Sequence, residues 1–357
     1  MTQCVAATGL VALVLGPLCS GHTGSAEQDQ ARAENKPIVI DEAPAELTKI
    51  APRMWALKFS PDYRMFGVTA GWNNPVEPGE LVLWDYKTGK ARLVVRQKDT
   101  IRALAFSHDL KLLAIGDFGG GVKVLEVATG KLMAKLPQHA KLVNSLAFTP
   151  DDSTLITGSF DGTLKLWDVQ AQKERHMLNV PGEMIVTVAL SKDGTKLAAV
   201  TWEGKAHLWD LGKLKKLHTL AASPEKEGKR AIAEALAFAP DGASFVVGSW
   251  DSTLRLWDAA TGKIVRELKG HDASVLAAAF SRDGKTLATS DSRGKVLLWD
   301  PNKSDPVARL QAHDGMCFGL DFNHDGKRLA TAGWDRVVKV WNLDSGQIMA
   351  TFKRPQP

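Results

Sequence analysis

Apolar and polar side chains alternate along this chain in short runs closed by turn residues, and no amphipathic helix competes for the region. Residues 142–180 show the pattern best: runs from Leu142 to Phe148, Thr154 to Gly158, Thr163 to Asp168, and a weaker one from Arg175 to Val180. Period-two alternation in runs of this length predicts strands with one face packed. Between the first two runs of each unit lies a recurring turn signal: Ser60-Pro61-Asp62, Ser107-His108-Asp109, Thr149-Pro150-Asp151, Ser191-Lys192-Asp193-Gly194, Ala239-Pro240-Asp241-Gly242, Ser281-Arg282-Asp283-Gly284 and Asn323-His324-Asp325-Gly326. Asp supplies a side-chain bond to the turn and Gly the positive φ of a tight hairpin. A second reversal, Thr88-Gly89, Thr129-Gly130, Thr261-Gly262 and Ser345-Gly346, follows the third run.

The third run ends on a Trp followed by an acid or amide. Trp84-Asp85, Trp167-Asp168, Trp209-Asp210, Trp257-Asp258, Trp299-Asp300 and Trp341-Asn342 close six copies, and Leu125-Glu126 closes a degenerate seventh. The intervals are 41, 42, 42, 48, 42 and 42 residues. Repetition at this period, with four strands per copy, predicts an all-β ring of seven four-stranded antiparallel blades. Each blade needs its neighbours to bury both faces, so the 357 residues hold one propeller unit over 51–357, preceded by a leader over 1–26 and a polar linker over 27–50.

These residues resemble the WD-repeat β-propeller family, and the resemblance covers roughly residues 50 to 353. It implies a buried tetrad in each blade: a His before the first strand, a Ser or Thr ending the second, an Asp in the next turn and the Trp of the third. The third copy carries all four as His139, Ser159, Asp161 and Trp167. Such a network satisfies an indole N–H and a carboxylate inside the blade, a structural task. Other copies depart from it. The fifth keeps Ser249, Asp251 and Trp257 without a His, and the sixth keeps His271 and Trp299 with Arg293 at the Asp position. The seventh has His313, Asp335 and Trp341 with Gly333 at the hydroxyl position, and the fourth has Glu203 at the Asp position. One set per blade spreads these groups around the ring, so they are read as staples and not as metal ligands or acid–base catalysts.

The residue just before the tetrad Asp carries the functional signal. Counting seven back from each strand-ending Trp gives Phe118, Phe160, Trp202, Trp250, Ser292 and Trp334, and Trp72 sits at the matching point of the first copy. The turn between second and third strands of a propeller opens on one face, so these aromatics are expected to ring the channel mouth. Trp55, Arg102, Glu234 and Phe318 fall at equivalent places near the starts of the inner strands and are expected at the channel rim. Exposed aromatics of this kind favour a recognition surface. The alternative is that they lid the neighbouring blade. Insertions at Gly71 to Glu80 and Ala221 to Ala233 enlarge the same face.

Three function classes follow. The leading one is a non-catalytic scaffold binding a protein or peptide through the aromatic-rimmed face, with no cofactor or metal. The second is a small-ligand or carbohydrate-binding propeller whose Trp faces stack on sugar rings. The third is an enzyme built in the channel, against which stands the absence of a Gly-x-Ser-x-Gly elbow, a His-Glu-x-x-His pair, a phosphate loop or paired zinc cysteines.

A net charge of +5, with Lys and Arg interspersed among Asp and Glu, comes without a nucleic-acid module and argues against dedicated nucleic-acid binding. The apolar run Val5 to Leu18 is too short to span a bilayer, and Gly24, Ser25 and Ala26 follow it. That reads as an export signal cleaved near Ala26, giving a periplasmic or extracellular protein; a cytosolic leader is the alternative, since Met1-Thr2-Gln3 carries no basic residue. Cys19 is a poor lipidation site after Leu18. Cys317 stands where other copies have Val143, Ile185 or Val275, a small buried apolar position. Gln347 to Lys353 reads as the fourth strand of the last blade, with the segments Lys36 to Ile40 and Glu46 to Ile50 as competing closing strands, and the propeller is expected to be monomeric.

Overall fold

The computed structural model describes residues 37–41, 53–71, 78–223 and 232–353. The leader, Cys19, Trp72 and most of the second insertion lie outside them. Twenty-nine strands and no helix are present among the described residues. They form seven sheets, six of four antiparallel strands and the first of five, its fifth strand parallel to its neighbour. In chain order the blades are β2–β5, β6–β9, β10–β13, β14–β17, β18–β21, β22–β25 and β26–β29. The innermost strands are β2 (Arg53–Phe59), β6 (Ile101–Phe106), β10 (Val143–Phe148), β14 (Ile185–Leu190), β18 (Ala233–Phe238), β22 (Val275–Phe280) and β26 (Cys317–Phe322). Each contacts the next, and β26 contacts β2, so the ring is closed.

Seven apolar clusters, one at each junction between blades, form the core. Between the last blade and the first, Leu57, Phe66 and Trp84 pack with Ala330, Val340 and Phe352. Between the third and fourth, Ile156, Leu166, Val188 and Trp209 do the same. Burial of apolar area against a neighbour is the driving term, which is why no blade stands alone.

Among the described residues closure uses no clasp, and the segment Glu46 to Ile50 lies outside them. The last blade is built wholly from the C-terminal stretch, with β29 (Gln347–Lys353) as its outer strand. The N-terminal strand β1 (Ile38–Asp41) instead runs parallel to β5 (Ala91–Gln97) on the outer edge of the first blade. Of the two closures open in the sequence, the unclasped one is adopted. Gly319 permits it, since a Cβ there would lie 2.7 Å from the Leu57 Cβ and 2.8 Å from its nitrogen.

The turn reading needs one refinement. Gly194, Gly242, Gly284 and Gly326 take the left-handed conformation in four turns, but Tyr63, Leu110 and Asp152 take it in the other three. Hydroxyl-to-carboxylate bonds such as Ser107 to Asp109 (2.8 Å) and Thr149 to Asp151 (2.6 Å) hold those turns.

The tetrads form with a different hydroxyl from the one expected. In the third blade His139 Nδ1 lies 2.9 Å from Asp161, and His139 Nε2 lies 2.6 Å from Thr157 Oγ1. The Trp167 indole donates to that same oxygen at 3.0 Å. Ser159, two residues further along β11 (Thr154–Ser159), donates instead to the Lys141 carbonyl. The reason is register: Trp167 pairs with Leu155, so its ring reaches the Thr157 side chain and not the strand end.

The sixth and seventh blades repeat this with Thr289 and Thr331. In the sixth, Asp291 at the strand end supplies the carboxylate to His271 at 2.9 Å, so Arg293 leaves no gap. In the seventh, Gly333 is needed: a Cβ would lie 2.4 Å from the His313 ring. The fifth blade assembles no tetrad. Ser249 faces the Ala222 carbonyl, and Asp251 Oδ2 and the Trp257 indole nitrogen are both buried without partners. Val247 stands where the Thr would be. In the fourth, Glu203 accepts the Met184 N–H, while Glu183 joins His207, Thr201 and Lys205 in a separate network.

Candidate functional site

Every innermost strand carries a β-bulge at the same place, two residues from its start. The unpaired residue is Trp55, Arg102, Asn144, Val186, Glu234, Leu276 or Phe318, taken blade by blade. A bulge re-aims one side chain, and six of the seven bulge residues, all but the buried Val186, line the channel or its mouth. The sequence reading reached four of the seven. Asn144, Val186 and Leu276 carry no aromatic or charge to mark them, and only the register shift identifies them.

A second repeated bond sets the aromatics above this rim. The backbone N–H of Phe118, Phe160, Trp202, Trp250, Ser292 and Trp334 donates, at 2.9 Å in every case, to the carbonyl two residues before the bulge residue of its own blade. Each aromatic is thereby fixed beside a rim residue. The result is a cavity of about 600 Å3 over the channel mouth. All nine described candidates line it: the aromatics Phe118, Phe160, Trp202, Trp250 and Trp334, and the rim residues Trp55, Arg102, Glu234 and Phe318. Lys141, Leu142 and Met316, which the sequence did not single out, complete the wall. A smaller space of about 130 Å3 continues down the channel past Asn144 and Thr187. Ser292 leaves the sixth place without a ring.

The rings touch edge to face. Phe160 and Trp202 are 5.9 Å apart between centroids, Trp202 and Trp250 5.4 Å, and Trp55 and Trp334 5.3 Å. Phe318 packs 5.2 Å from Trp55. The aromatics therefore do lie against the neighbouring blade's ring, as the lid reading requires, and they also wall the cavity. Trp250 is the most exposed tryptophan of the set, at 36%. The Trp334 indole nitrogen is buried without a hydrogen-bond partner.

Two charged residues sit within this apolar bowl. The Arg102 guanidinium lies 3.6 Å from the centre of the Trp55 ring and donates twice to Asn144 Oδ1, at 3.1 and 3.0 Å. Burial lowers it to about 10, with the Glu234 charge opposing. Glu234, 7% exposed, accepts a hydrogen bond from the Trp250 indole nitrogen. Burial pushes its carboxyl up to about 7 against the pull of that bond and of the Arg102 charge.

Nothing here converges as a catalytic set. His139, His271 and His313 are each held within their own blade by an Asp and a Thr. Among the described residues no group of three His, Cys, Asp or Glu side chains is placed to hold a metal ion. Cys317 is fully buried in β26 beside the seventh-blade core.

The comparisons agree with the geometry. The family model described as the IFT122 first beta-propeller matches residues 53–304, and that of the WD domain, G-beta repeat, matches residues 304–342. The chain belongs to the WD-repeat β-propeller family, whose members generally act as non-enzymatic platforms for protein partners. No curated protein matches it.

Proposed function

We propose that this protein is a non-catalytic scaffold that holds a peptide segment of a protein partner in the aromatic bowl over the channel. The observation that carries the reading is the gathering of nine side chains from six blades into one cavity. Half-buried aromatic rings around a concave apolar floor are the usual anchors of peptide recognition. The edge-to-face tilt of the rings shapes a bowl and offers no flat stacking platform of the kind a sugar ring uses.

The test is affinity capture from the native source with wild type beside the Trp202→Ala, Trp250→Ala, Trp334→Ala triple variant, circular dichroism confirming that both are folded. Partners lost only in the variant support the reading. An unchanged partner list sinks it and moves attention to the opposite face. A fluorescence response to sugars, absent for peptides, would favour carbohydrate binding instead. An exported location rests on the leader alone; N-terminal sequencing of the natural protein tests it, a start near residue 27 being the expected result.

A further inference from the structure

The bowl is lopsided in charge. On the side of the first and seventh blades two tryptophan faces, those of Trp55 and Trp334, are already covered by the protein's own cations. Arg102 lies 3.6 Å from the Trp55 ring centre and Arg53 lies 4.3 Å from that of Trp334. On the other side Phe160, Trp202 and Trp250, from the third to fifth blades, run edge to face. No cation of the described residues lies over them. Beneath them is Glu234, a buried carboxylate fixed by the Trp250 indole through one oxygen and by Thr187, which donates to its backbone carbonyl at 2.7 Å.

We infer that this half of the bowl seats a cationic side chain, lysine or arginine, presented by the partner's peptide, with Phe160, Trp202 and Trp250 as walls and Glu234 as the floor. The inference rests on the peptide-binding reading and names the chemistry of its anchor. Ring faces attract a cation through their quadrupole, most strongly where water is excluded. An apolar anchor would gain nothing from the buried Glu234 carboxylate, and an acidic anchor would meet it as a like charge. Arg102, stacked on Trp55 and held by Asn144, already draws on the Glu234 charge from across the channel, so an incoming cation would share that carboxylate with it.

The other charged groups at the bowl are Arg53 and Lys58 on β2, Arg102 on β6 and the exposed Lys141 just ahead of β10, on the Phe160 side. All are basic, so Glu234 is the acidic group that an incoming cation finds. With the Glu234 carboxyl held near 7, seating a cation favours its ionised form and releases a proton below that pH. Affinity for the cationic anchor should therefore fall about tenfold from pH 8 to pH 6.

The experiment is calorimetric titration of the full chain with four blocked pentapeptide pools, identical except for a central lysine, arginine, norleucine or glutamate. The expected result is that the lysine or arginine pool binds at least about tenfold tighter than the norleucine pool at pH 8. The margin should shrink toward pH 6 and vanish in Glu234→Gln, which keeps an acceptor for Trp250. Norleucine or glutamate binding as tightly as lysine, and lost in the triple Trp variant, overturns the cation seat while leaving the peptide-binding face standing. Cationic binding that survives in the triple variant overturns both, as does failure of every pool to bind.

Discussion

Asp321 Oδ2 accepts the Phe59 N–H at 2.9 Å, joining residues 262 positions apart across the seam where the last blade meets the first. Its other oxygen takes the Phe322 N–H at 3.0 Å. A second seam bond runs from Arg328 to the Tyr86 hydroxyl at 2.8 Å. In a ring closed without a shared strand, these polar contacts and the apolar cluster around Phe66 set the register of closure. Burial pushes the Asp321 carboxyl up from 3.8, with Lys58 and the two N–H bonds opposing. A carboxyl raised on folding gives stability that is full below its unfolded value and declines as pH rises through the folded one. Asp321→Ala should cost about 1–3 kcal/mol by orphaning two N–H groups. Asp321→Asn should lack the wild type's decline in stability above pH 3.8, read by urea unfolding across pH.

His313 and His139 occupy the same place in two blades and titrate in opposite senses. Burial works against charge on both. For His313 the Asp335 carboxylate and the Cys317 sulfur override it and raise the ring to about 9; for His139 burial prevails over Asp161 and lowers it. Stability from His313 is thus present below 6.5 and lost as pH rises toward 9, and that from His139 is present above 6.5 and lost as pH falls. Asp335→Asn should destabilise by up to about 3 kcal/mol at pH 6 and by much less at pH 9.5. Proton NMR titration of the two rings checks the order directly.

Thr157, Thr289 and Thr331 each accept a Trp indole and face a His nitrogen. Thr331→Val leaves both ring groups without a partner, at a cost of about 2–4 kcal/mol. Ser159→Ala, which loses the bond to the Lys141 carbonyl and the one accepted from the Asp161 N–H, should cost about 1–2 kcal/mol and less than Thr331→Val. Equal losses from the two substitutions would return the tetrad to the strand end.

The fifth blade offers the converse experiment. Trp257 has a buried indole N–H without an acceptor, and Val247 fills the place of the tetrad Thr. Val247→Thr is close to isosteric and puts a hydroxyl between the indole and the Arg255 carbonyl. A gain of roughly 1 kcal/mol in urea unfolding is expected, and a loss would mean that the hydroxyl's desolvation outweighs the new bond.

β1 covers the outer edge of the first blade, and Ile40 packs beside the cluster around Leu93. Ile40→Asp should release it at a cost of about 1–2 kcal/mol and expose the backbone edge of β5. Faster hydrogen exchange at residues 91–97, with the other six outer strands unchanged, is the expected signature.

The repeat, the blade count and the turn chemistry were readable from sequence because they depend on local spacing: period-two runs, Asp and Gly at fixed offsets, and a Trp every 42 residues or so. The His, Asp and Trp of the third-blade staple were readable for the same reason. The hydroxyl was not, because its identity depends on which residue of one strand lies within reach of a ring on the next, and that register is set between strands. The sixth-blade carboxylate escaped likewise: Asp291 replaces a group two positions on, a shift visible only once the chain has turned.

The same division holds for the site. Sequence placed an aromatic before the tetrad turn in every copy but the sixth, which has Ser292, and a diverse residue near the start of four inner strands, since these recur at constant offsets from the Trp. It did not show that a bulge in every inner strand turns those residues into the channel, nor that Glu234 lies under Trp250 while Arg102 lies on Trp55. It also left two routes of closure open, and packing chose between them: β1 lies along β5, and Gly319 lets the last blade come directly against Leu57. Local propensity determines which strands form and how many blades they make. Contacts between residues more than 250 positions apart, such as Phe59 with Asp321 and Phe66 with Phe352, decide how the ring shuts and what its mouth presents, because those energies exist only when distant strands are packed together.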